Sequence, residues 1–277
     1  MATPLMALTR RELLRVVRNP AAIFTSLLVP ILYLTLFGQG FSRLTGGSGG
    51  YTLPPSYLLG APAFFSYFSV GMVGFVAVTG TLFTGANVIF DKLFGIFKRI
   101  AASPASSAEV FGSRVLAGSV QPTLLALFVL FLAVLLGHSG SSAVSGLDIT
   151  QSVSALGWLE VVVAIMLLSA MFAGLFVAFG FALNQPQSYF AAVNAINLPI
   201  LFTSNALYPW GSMPGWLQSV ATYNPVSLAV TVMRENFFGT TYYPYGPAVY
   251  LGGLLAWTLG MFIVATLIAR RTLMPKG

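Results

Sequence analysis

The chain has 277 residues, of which 57% are hydrophobic and only 7% are charged, and its net charge is +7. A soluble domain carries about 25% charged residues, so this composition excludes an ordinary water-soluble fold and indicates a polytopic membrane protein. The absence of cysteine excludes disulfides and thiolate metal sites, and the single His138 excludes a histidine-based metal cluster.

Six apolar stretches follow along the chain. Each has about the 20 residues that a helix needs to cross the hydrocarbon of a bilayer. Their long runs lack the alternation of a membrane barrel, so we predict an all-α membrane protein with six transmembrane helices. Pro30 lies inside the first stretch and predicts a kink there. The predicted spans one to six cover residues 21–41, 62–90, 115–137, 157–183, 188–207 and 247–269.

The basic residues predict the orientation of these spans. Four precede span one, four separate spans two and three, and three follow span six, which together are 11 of the 13 Lys and Arg residues. With six spans all of these positions lie on one side, and the positive-inside rule predicts that both termini are cytoplasmic. The positive charge therefore follows from topology, and no nucleic-acid partner is expected. A signal peptide is not predicted either, because a full-length apolar stretch follows the basic residues.

The chain is not predicted to be an enzyme. None of its three lysines follows Gly and precedes Ser or Thr, so no phosphate-binding P-loop is present. The six acidic residues are scattered, with no close pair for acid–base chemistry, and the connecting segments leave no room for a soluble catalytic domain. We therefore predict no catalytic residue and no metal site.

Charge is concentrated in the stretch FDKLFGIFKRIAASP, residues 90–104. On a helical wheel, residues 90–102 separate into a polar arc and an opposite apolar arc that includes Phe94 and Phe97. This pattern predicts a short amphipathic helix on the cytoplasmic face, and by itself it is also typical of an interfacial helix that lies on lipid headgroups. The polar arc contains Asp91, Lys92, Gly95, Lys98, Arg99 and Ala102.

A second amphipathic helix is predicted at about residues 5–18, just before span one. With these two helices below six spans, the chain resembles the membrane subunits of ABC exporters of the ABC-2 permease type, which include drug-resistance and lipo-oligosaccharide exporters. The resemblance covers nearly the whole chain. The stretches that carry it are RRELLRVVRNPAAIF, FDKLFGIFKRIAASPASSAEVFGSRVLAG and NALYPWGSMPGWLQSVATYNPVSLAVTVMRENFFG.

The resemblance implies that the helix at 90–102 is a coupling helix that docks on a separate ATPase subunit, beside the N-terminal interface helix. It implies two copies of that ATPase, which bind ATP and Mg, and a second permease chain that is either a copy of this one or a relative. No cofactor is expected in this chain itself. The implied coupling residues are Asp91, Lys92, Phe94, Gly95, Phe97, Lys98, Arg99, Arg11, Glu12 and Arg15.

A substrate pathway is expected where spans two and five meet at the dimer interface, as the resemblance implies. Aromatic residues cluster near the outer end of span two, and polar residues recur along span five. Ordinary helix packing, with Asn and Thr bonding between helices, explains the same residues equally well. The candidates are Phe64, Phe65, Tyr67 and Phe68, together with Asn194, Asn197, Thr203 and Asn205.

Residues 208–235 are too polar and too rich in proline to cross the membrane, and we predict an outer re-entrant or cap segment. Within it, Arg234 is expected either to pair with Glu235 or to anchor in lipid headgroups. Glu160, beside Trp158, is expected at the outer interface. The candidate cap residues are Tyr208, Pro209, Pro214, Trp216, Asn224, Pro225 and Arg234.

The resulting hypothesis is a permease subunit in the plasma membrane of a prokaryote. It would move a hydrophobic drug or a lipid-like molecule out of the cytoplasm or inner leaflet, in multidrug or lipid transport. One alternative is the export of a lipid-linked glycan of polysaccharide or teichoic-acid type. A secondary transporter or channel without an ATPase is another, although buried ionisable residues would then be expected. A third is a membrane enzyme that acts on lipids.

Overall fold

The computed structural model describes residues 6, 9–11, 14, 20–41, 54, 56–96, 107–138, 146–239, 241 and 244–273. Every regular element in this part of the chain is a helix. We label the α-helices α1 to α9, and a π-helix at Tyr33–Gly38 follows α1 while a short 3-10 helix at Trp210–Ser212 precedes α7. The α-helices are Pro20–Leu32, Phe64–Thr79, Leu82–Leu93, Ser107–His138, Ala155–Ala182, Pro186–Phe202, Gly215–Tyr223, Pro225–Phe238 and Pro247–Leu273.

Among the described residues, four helices are long and apolar enough to cross a membrane. They overlap the predicted spans two, three, four and six, with different ends. Span two is built from α2 and α3, which join at Gly80 and Thr81. The four membrane-length helices are Phe64–Leu93, Glu109–Leu136, Ala155–Ala182 and Pro247–Ile268.

The predicted span one is helical over 20–41, but it is not a regular α-helix throughout. Pro30 lies inside α1, and the π-helix begins at Tyr33, three residues later. Proline has no backbone N–H and interrupts the usual hydrogen-bond ladder. The Thr35 hydroxyl donates a hydrogen bond to the carbonyl of Ile31 at 2.8 Å, which satisfies one acceptor near the irregular turn.

The predicted span five is shorter than expected, because α6 ends at Phe202 rather than near 207. Polar side chains satisfy the carbonyls at its end: the Thr203 hydroxyl donates to the carbonyl of Pro199 at 2.7 Å, and Asn224 Nδ2 donates to that of Ile200, also at 2.7 Å. With 17 residues, α6 rises only about 25 Å. The chain then turns back through 203–207 toward the cap.

Helix α5 is the centre of the bundle and contacts α2, α3, α4, α8 and α9. Glycine permits its closest approach to α3. A Cβ atom on Gly85 would lie 2.0 Å from the carbonyl oxygen of Phe176, and one on Gly180 would lie 2.4 Å from the carbonyl oxygen of Gly85. The two helices therefore touch backbone to backbone, and any larger residue would force them apart.

The side-chain contacts define two ends of this bundle. At one end, which we call the basic end, Asp91 contacts Arg114, and Lys92 contacts the carbonyl of Phe181. At the opposite end, which we call the distal end, Thr150 pairs with the carbonyl of Phe237 at 3.1 Å. Helix α4 consequently runs antiparallel to α3, whereas α5 runs parallel to it.

The structure corrects the start of the predicted helix at 90–102, because residues 90–93 belong to α3 and Ile96 is the first helical residue after the turn. Helix α3 continues from span two to Leu93, and the chain then turns at Phe94 and Gly95. Gly95 has φ +70, a left-handed conformation that suits glycine and commonly ends a helix. Residues 97–102 lie outside the described part of the chain. Asp91 and Lys92 thus belong to the end of a membrane-length helix, not to a separate amphipathic one.

Candidate functional site

The basic end is organised around Asp91. Its carboxylate is fully buried and forms an ion pair with Arg114, while Arg11 Nη2 lies 3.7 Å from the same oxygen. A buried carboxylate is tolerated only when cations and hydrogen bonds compensate its lost hydration. The ion pairs thereby connect three parts of the chain, namely the N-terminal residues, the end of α3 and the first turns of α4.

Arg114 was predicted to lie in a loop, but α4 begins at Ser107, eight residues before the predicted start of span three at 115. Arg114 is therefore a helical residue, and its side chain is almost fully buried. From the sequence, Asp91 and Arg114 both lie between the predicted spans two and three, but an ion pair between them was not predicted. The two residues are 23 positions apart, and several other charged residues lie between them, so the sequence contains no signal for this particular pair.

Lys92 closes the end of α5. Its Nζ atom donates hydrogen bonds to the carbonyls of Phe181 at 2.6 Å and Leu183 at 3.1 Å, and to Asn184 Oδ1 at 3.4 Å. The last carbonyls of a helix have no partner within the helix and carry partial negative charge, so an ammonium group stabilises them. Lys92 therefore binds α3 to α5 inside the chain, whereas sequence reasoning placed it on a face that meets the ATPase. We term the contacts of Arg11, Asp91, Lys92 and Arg114 the basic junction.

An exposed apolar surface adjoins the basic junction. Phe94 is 74% exposed and Leu93 is 58% exposed, and the Phe94 ring stacks on that of Phe90 at 6.5 Å. Of the other predicted coupling residues, Gly95 forms the turn described above. Residues 6, 9–11 and 14 of the predicted interface helix are helical. The remaining candidates, Phe97, Lys98, Arg99, Glu12 and Arg15, lie outside the described residues.

The distal end contains a fully buried cation, Arg234. Its Nη1 atom donates to the carbonyl of Asn205 and its Nη2 atom donates to that of Tyr67, both at 2.9 Å. The guanidinium also stacks over the Tyr67 ring, 3.5 Å from the centroid. Backbone dipoles and a π face thus compensate this charge. Both sequence-based expectations for Arg234, a pair with Glu235 and an anchor in headgroups, are wrong.

Glu235, the next residue, is also buried, with 2% of its surface exposed. Neither carboxylate oxygen has a hydrogen-bond partner among the described residues. Burial, and second the nearby charge of Glu160, raise the pKa of Glu235 to about 8. Glu160 itself accepts a hydrogen bond from Asn236 Nδ2 at 3.0 Å. A protonated Glu235 is the form that this environment favours at neutral pH.

The predicted pathway aromatics are buried inside the chain. Phe65 and Tyr67 are fully buried, and Phe64 and Phe68 nearly so. Phe64 stacks between Phe41 at 5.5 Å and Phe68 at 5.7 Å. The rings pack α2 against the segment that follows α1, so in this structure they do not line an opening.

The predicted polar candidates of span five do not form one site. Asn194 is exposed, and Asn197 is buried with its Oδ1 atom lacking a hydrogen-bond partner in the described part of the chain. Thr203 accepts a hydrogen bond from Asn224 Nδ2 at 3.1 Å. Asn205 lies in the turn toward the cap, where its carbonyl binds Arg234.

The outer segment consists of the 3-10 helix, α7 and α8, and it extends to Phe238 rather than 235. Asn224 separates α7 from α8 because its Oδ1 atom accepts from Val226 N at 2.9 Å, an N-cap that Pro225 follows at the first helical position. We call α7 and α8 with the preceding 3-10 helix the distal cap. Tyr208 and Trp216 are exposed on it, Pro209 precedes the 3-10 helix, and Pro214 precedes α7.

Residues 3–238 match the ABC-2 type transporter family. The chain belongs to the ABC-2 type transporter family. The matched region of this ABC-2 chain includes the basic junction and ends where α8 ends, at Phe238. Its helices and its family together establish it as a membrane protein.

Named relatives of this ABC-2 chain are transport permeases. It is 30% identical to the transport permease ycf38 of Porphyra purpurea, over 84% of this chain and 74% of the relative. It is 26% identical to the doxorubicin resistance ABC transporter permease DrrC of Mycobacterium tuberculosis, over 92% and 83% respectively. It is 24% identical to the daunorubicin resistance ABC transporter permease DrrB1 of Streptomyces coeruleorubidus, over 80% and 70%.

Proposed function

We propose that this chain is the transmembrane subunit of an ATP-driven exporter that moves a hydrophobic drug or lipid-like molecule out of the cytoplasm or inner leaflet. A separate ATPase subunit supplies the energy, and two permease chains work with two ATPase chains. Membership of the ABC-2 family supports the class of transporter. The names of two relatives, which refer to doxorubicin and daunorubicin resistance, support a hydrophobic substrate.

The basic junction is the observation that carries the proposal. Arg11, Asp91 and Arg114 join the N-terminal residues to α3 and α4, and Lys92 joins α3 to α5. A force applied near the exposed Phe94 would therefore move several helices together as a rigid unit. Buried ion pairs suit this role, because separating their partners costs about 3–5 kcal/mol.

In this proposal the basic end faces the cytoplasm and the chain crosses the membrane six times, with the α1 segment and α6 as the two shorter crossings. Both termini then lie with the basic residues, as the positive-inside rule requires. The ATPase subunit binds ATP and Mg. The turn at Phe94 and Gly95, together with the residues that follow it, forms the docking surface for that subunit.

Isolation of the intact complex tests the proposal. The tagged chain is purified from its own host in mild detergent, and the complex is weighed by native mass spectrometry. We expect two copies of an ATPase subunit, ATP hydrolysis by the complex, and ATP-dependent uptake of doxorubicin into inside-out vesicles. A chain that emerges alone and without ATPase activity, under conditions that preserve other ABC complexes, would instead favour a secondary transporter or channel.

A further inference from the structure

A cavity lies beneath the distal cap, between the 3-10 helix, α7, α8 and the start of α9. Its volume is about 170 Å³, and a cavity of about 150 Å³ in a protein interior accommodates one benzene ring. The cavity is thus large enough for a single small ring or a glycerol group. Its described lining residues include Asn205, Trp210, Thr222, Ser227, Thr231 and Tyr250.

The polar wall of the cavity contains an unused hydrogen-bond acceptor. The backbone N–H of Asn205 donates to Ser227 Oγ at 3.0 Å, and its Nδ2 atom donates to Thr231 Oγ1 at 3.4 Å. The Oδ1 atom of Asn205 is buried and has no hydrogen-bond partner among the described residues. A buried acceptor without a partner is unfavourable, so a ligand that donates a hydrogen bond would be stabilised here once the Asn205 amide turns its Oδ1 atom toward the cavity.

The cavity complements an uncharged group. None of the described residues that line it is charged. The buried Arg234, which binds the lining residue Asn205, directs its Nη atoms at the carbonyls of Asn205, Tyr67 and Ala206. Hydroxyl groups of Thr222, Ser227, Thr231 and Tyr250 therefore determine its polarity, and they match a neutral hydroxylated ligand better than a phosphate or an ammonium group.

An apolar groove of about 580 Å³ runs along α9 beside the cavity. Thr222, Leu228 and Tyr250 line both spaces, so the groove and the cavity adjoin. On α9 the groove follows one face at a spacing of three or four residues, from Val249 to Val264. Of the four membrane-length helices, α9 is the least enclosed by the rest of the chain. Its groove is therefore left open by the rest of this chain.

We propose that the cavity and the groove form one lateral binding site for an amphipathic lipid. An uncharged, hydroxylated head group of one-ring or glycerol size occupies the cavity, and the hydrocarbon chain lies in the groove along α9. This inference deepens the proposed export function by naming a substrate class and an entry or exit route at the distal leaflet. It rests on that function for its role in transport, but binding is measurable without ATP.

Photolabelling tests the site. The full chain, with the partners that co-purify, is reconstituted in lipid nanodiscs without ATP. It is exposed to a monoacylglycerol that carries a diazirine in its acyl chain, or to a lysophosphatidic acid with the same chain. We expect the neutral probe to label the α9 stripe from Val249 to Val264, and the anionic probe to label it about fivefold less. Equal labelling by both probes, or labelling of the exposed faces of α4 and α9 without enrichment at the stripe, would overturn the proposal.

Two glycine variants provide a matched pair for the groove. A Cβ atom on Gly260 or on Gly252 has nothing within 4 Å and both residues are exposed, so we expect a leucine at either position to be tolerated. Of these two glycines, Gly260 lines the groove and Gly252 does not. We expect Gly260→Leu to lower monoacylglycerol labelling about tenfold and Gly252→Leu to leave it within about twofold. Equal labelling of the two variants would show that the lipid does not occupy the groove.

A third variant tests the cavity itself. Thr231→Val keeps the shape of the side chain and removes its hydroxyl, and we expect it to abolish most of the preference for the neutral over the anionic probe. An unchanged preference would place the head group elsewhere. A disulfide between two copies of Gly260→Cys would show that a second chain covers the groove, and it would overturn lipid binding there.

Failure of this lipid site and failure of the proposed export function give different experimental results. If labelling follows the expected pattern but ATP drives no export of monoacylglycerol, the site stands and the lipid is not cargo. If the complex exports doxorubicin while the neutral probe never labels α9, the export function stands and this site is wrong.

Discussion

The buried ionisable side chains of the described residues are compensated in different ways. Asp91 and Arg114 pair with each other, Arg234 is bound by backbone carbonyls and a ring, and burial raises the pKa of Glu235, which favours its neutral form. Each solution reflects the high free energy of an unpaired charge away from water. At the scale of single residues, these sites should dominate the response of stability to mutation and pH.

We expect Asp91→Ala to lower the free energy of unfolding by about 3–5 kcal/mol, because it leaves the buried Arg114 without its carboxylate. Asp148→Ala, at an exposed position, serves as the control. Thermal unfolding in detergent, followed by tryptophan fluorescence, measures both variants. Similar midpoints for the two would mean that the ion pair contributes little to stability. The double variant Asp91→Leu with Arg114→Met should lose less than Asp91→Ala alone, since the cation that remains, Arg11, is 40% exposed and not buried.

Stability should fall as pH rises because of Glu235. Its pKa is about 8 in the folded chain, against 4.5 for an ordinary glutamate, so between these values the folded state binds a proton that the unfolded state has lost. The free energy of unfolding then decreases by up to about 1.4 kcal/mol for each pH unit from pH 5 to 8. Glu235→Gln should remove this slope, while the exposed Asp148→Asn should retain it. A slope of wild-type size in Glu235→Gln would refute the assignment.

Close backbone contact dominates at the scale of the elements. Helix α3 touches α5 at Gly85 and Gly180, the Tyr189 hydroxyl of α6 donates to the carbonyl of Leu82 at 2.6 Å, and Lys92 closes the end of α5. Small residues at helix contacts are a general feature of membrane proteins, where apolar surface alone does not drive association. The position of α3 therefore depends on a few close contacts with α5 and α6.

Two alanine substitutions separate packing from helix propensity. A Cβ atom on Gly85 would lie 2.0 Å from the carbonyl oxygen of Phe176, whereas one on Gly174 in α5 would have nothing within 4 Å. We expect Gly85→Ala to destabilise the chain by about 1–3 kcal/mol through overpacking. Gly174→Ala should be neutral or stabilise it by up to about 1 kcal/mol, since alanine favours helices. Unfolding in detergent measures both, and the reverse order would contradict the close contact.

At the scale of the whole molecule, the basic junction joins the helices that an ATPase would have to move. The exposed Phe94 lies beside it and is the accessible part of the proposed docking surface. The distal cap is tied to the bundle separately, through Arg234 and Asn224. Motion at one end would thus reach the other through the helices that lie between them.

Phe94→Ala combined with Phe97→Ala should weaken binding of the ATPase subunit while the chain still inserts and folds. Phe83, which is 61% exposed on α3 away from its end, provides the control as Phe83→Ala. The recovered ratio of ATPase to permease measures the effect, and we expect a reduction of about tenfold or more only in the double variant. Unchanged co-purification would refute docking at this surface.

The long apolar helices and the basic end were predictable from the sequence, because bilayer thickness sets the length of a spanning helix and charge follows topology. The resemblance to the ABC-2 family could also be recognised from the sequence, and the match over residues 3–238 confirms it. Sequence patterns could not predict how α3 ends. The amphipathic arc at 90–102 assumed that Asp91 faces water, and a helical wheel contains no information about a neutralising arginine on another helix.

Tertiary structure alone decided the roles of the charged residues and the existence of the cavity. Arg234 binds the carbonyl of Tyr67, 167 residues away, and Asp91 pairs with Arg114, 23 residues away. Whether a charge lies in water or in the interior depends on partners that only the fold brings together, so local composition cannot distinguish a headgroup anchor from a buried clamp. By itself the sequence determined that this chain is a membrane protein, because that property depends only on the hydrophobicity and length of its apolar stretches.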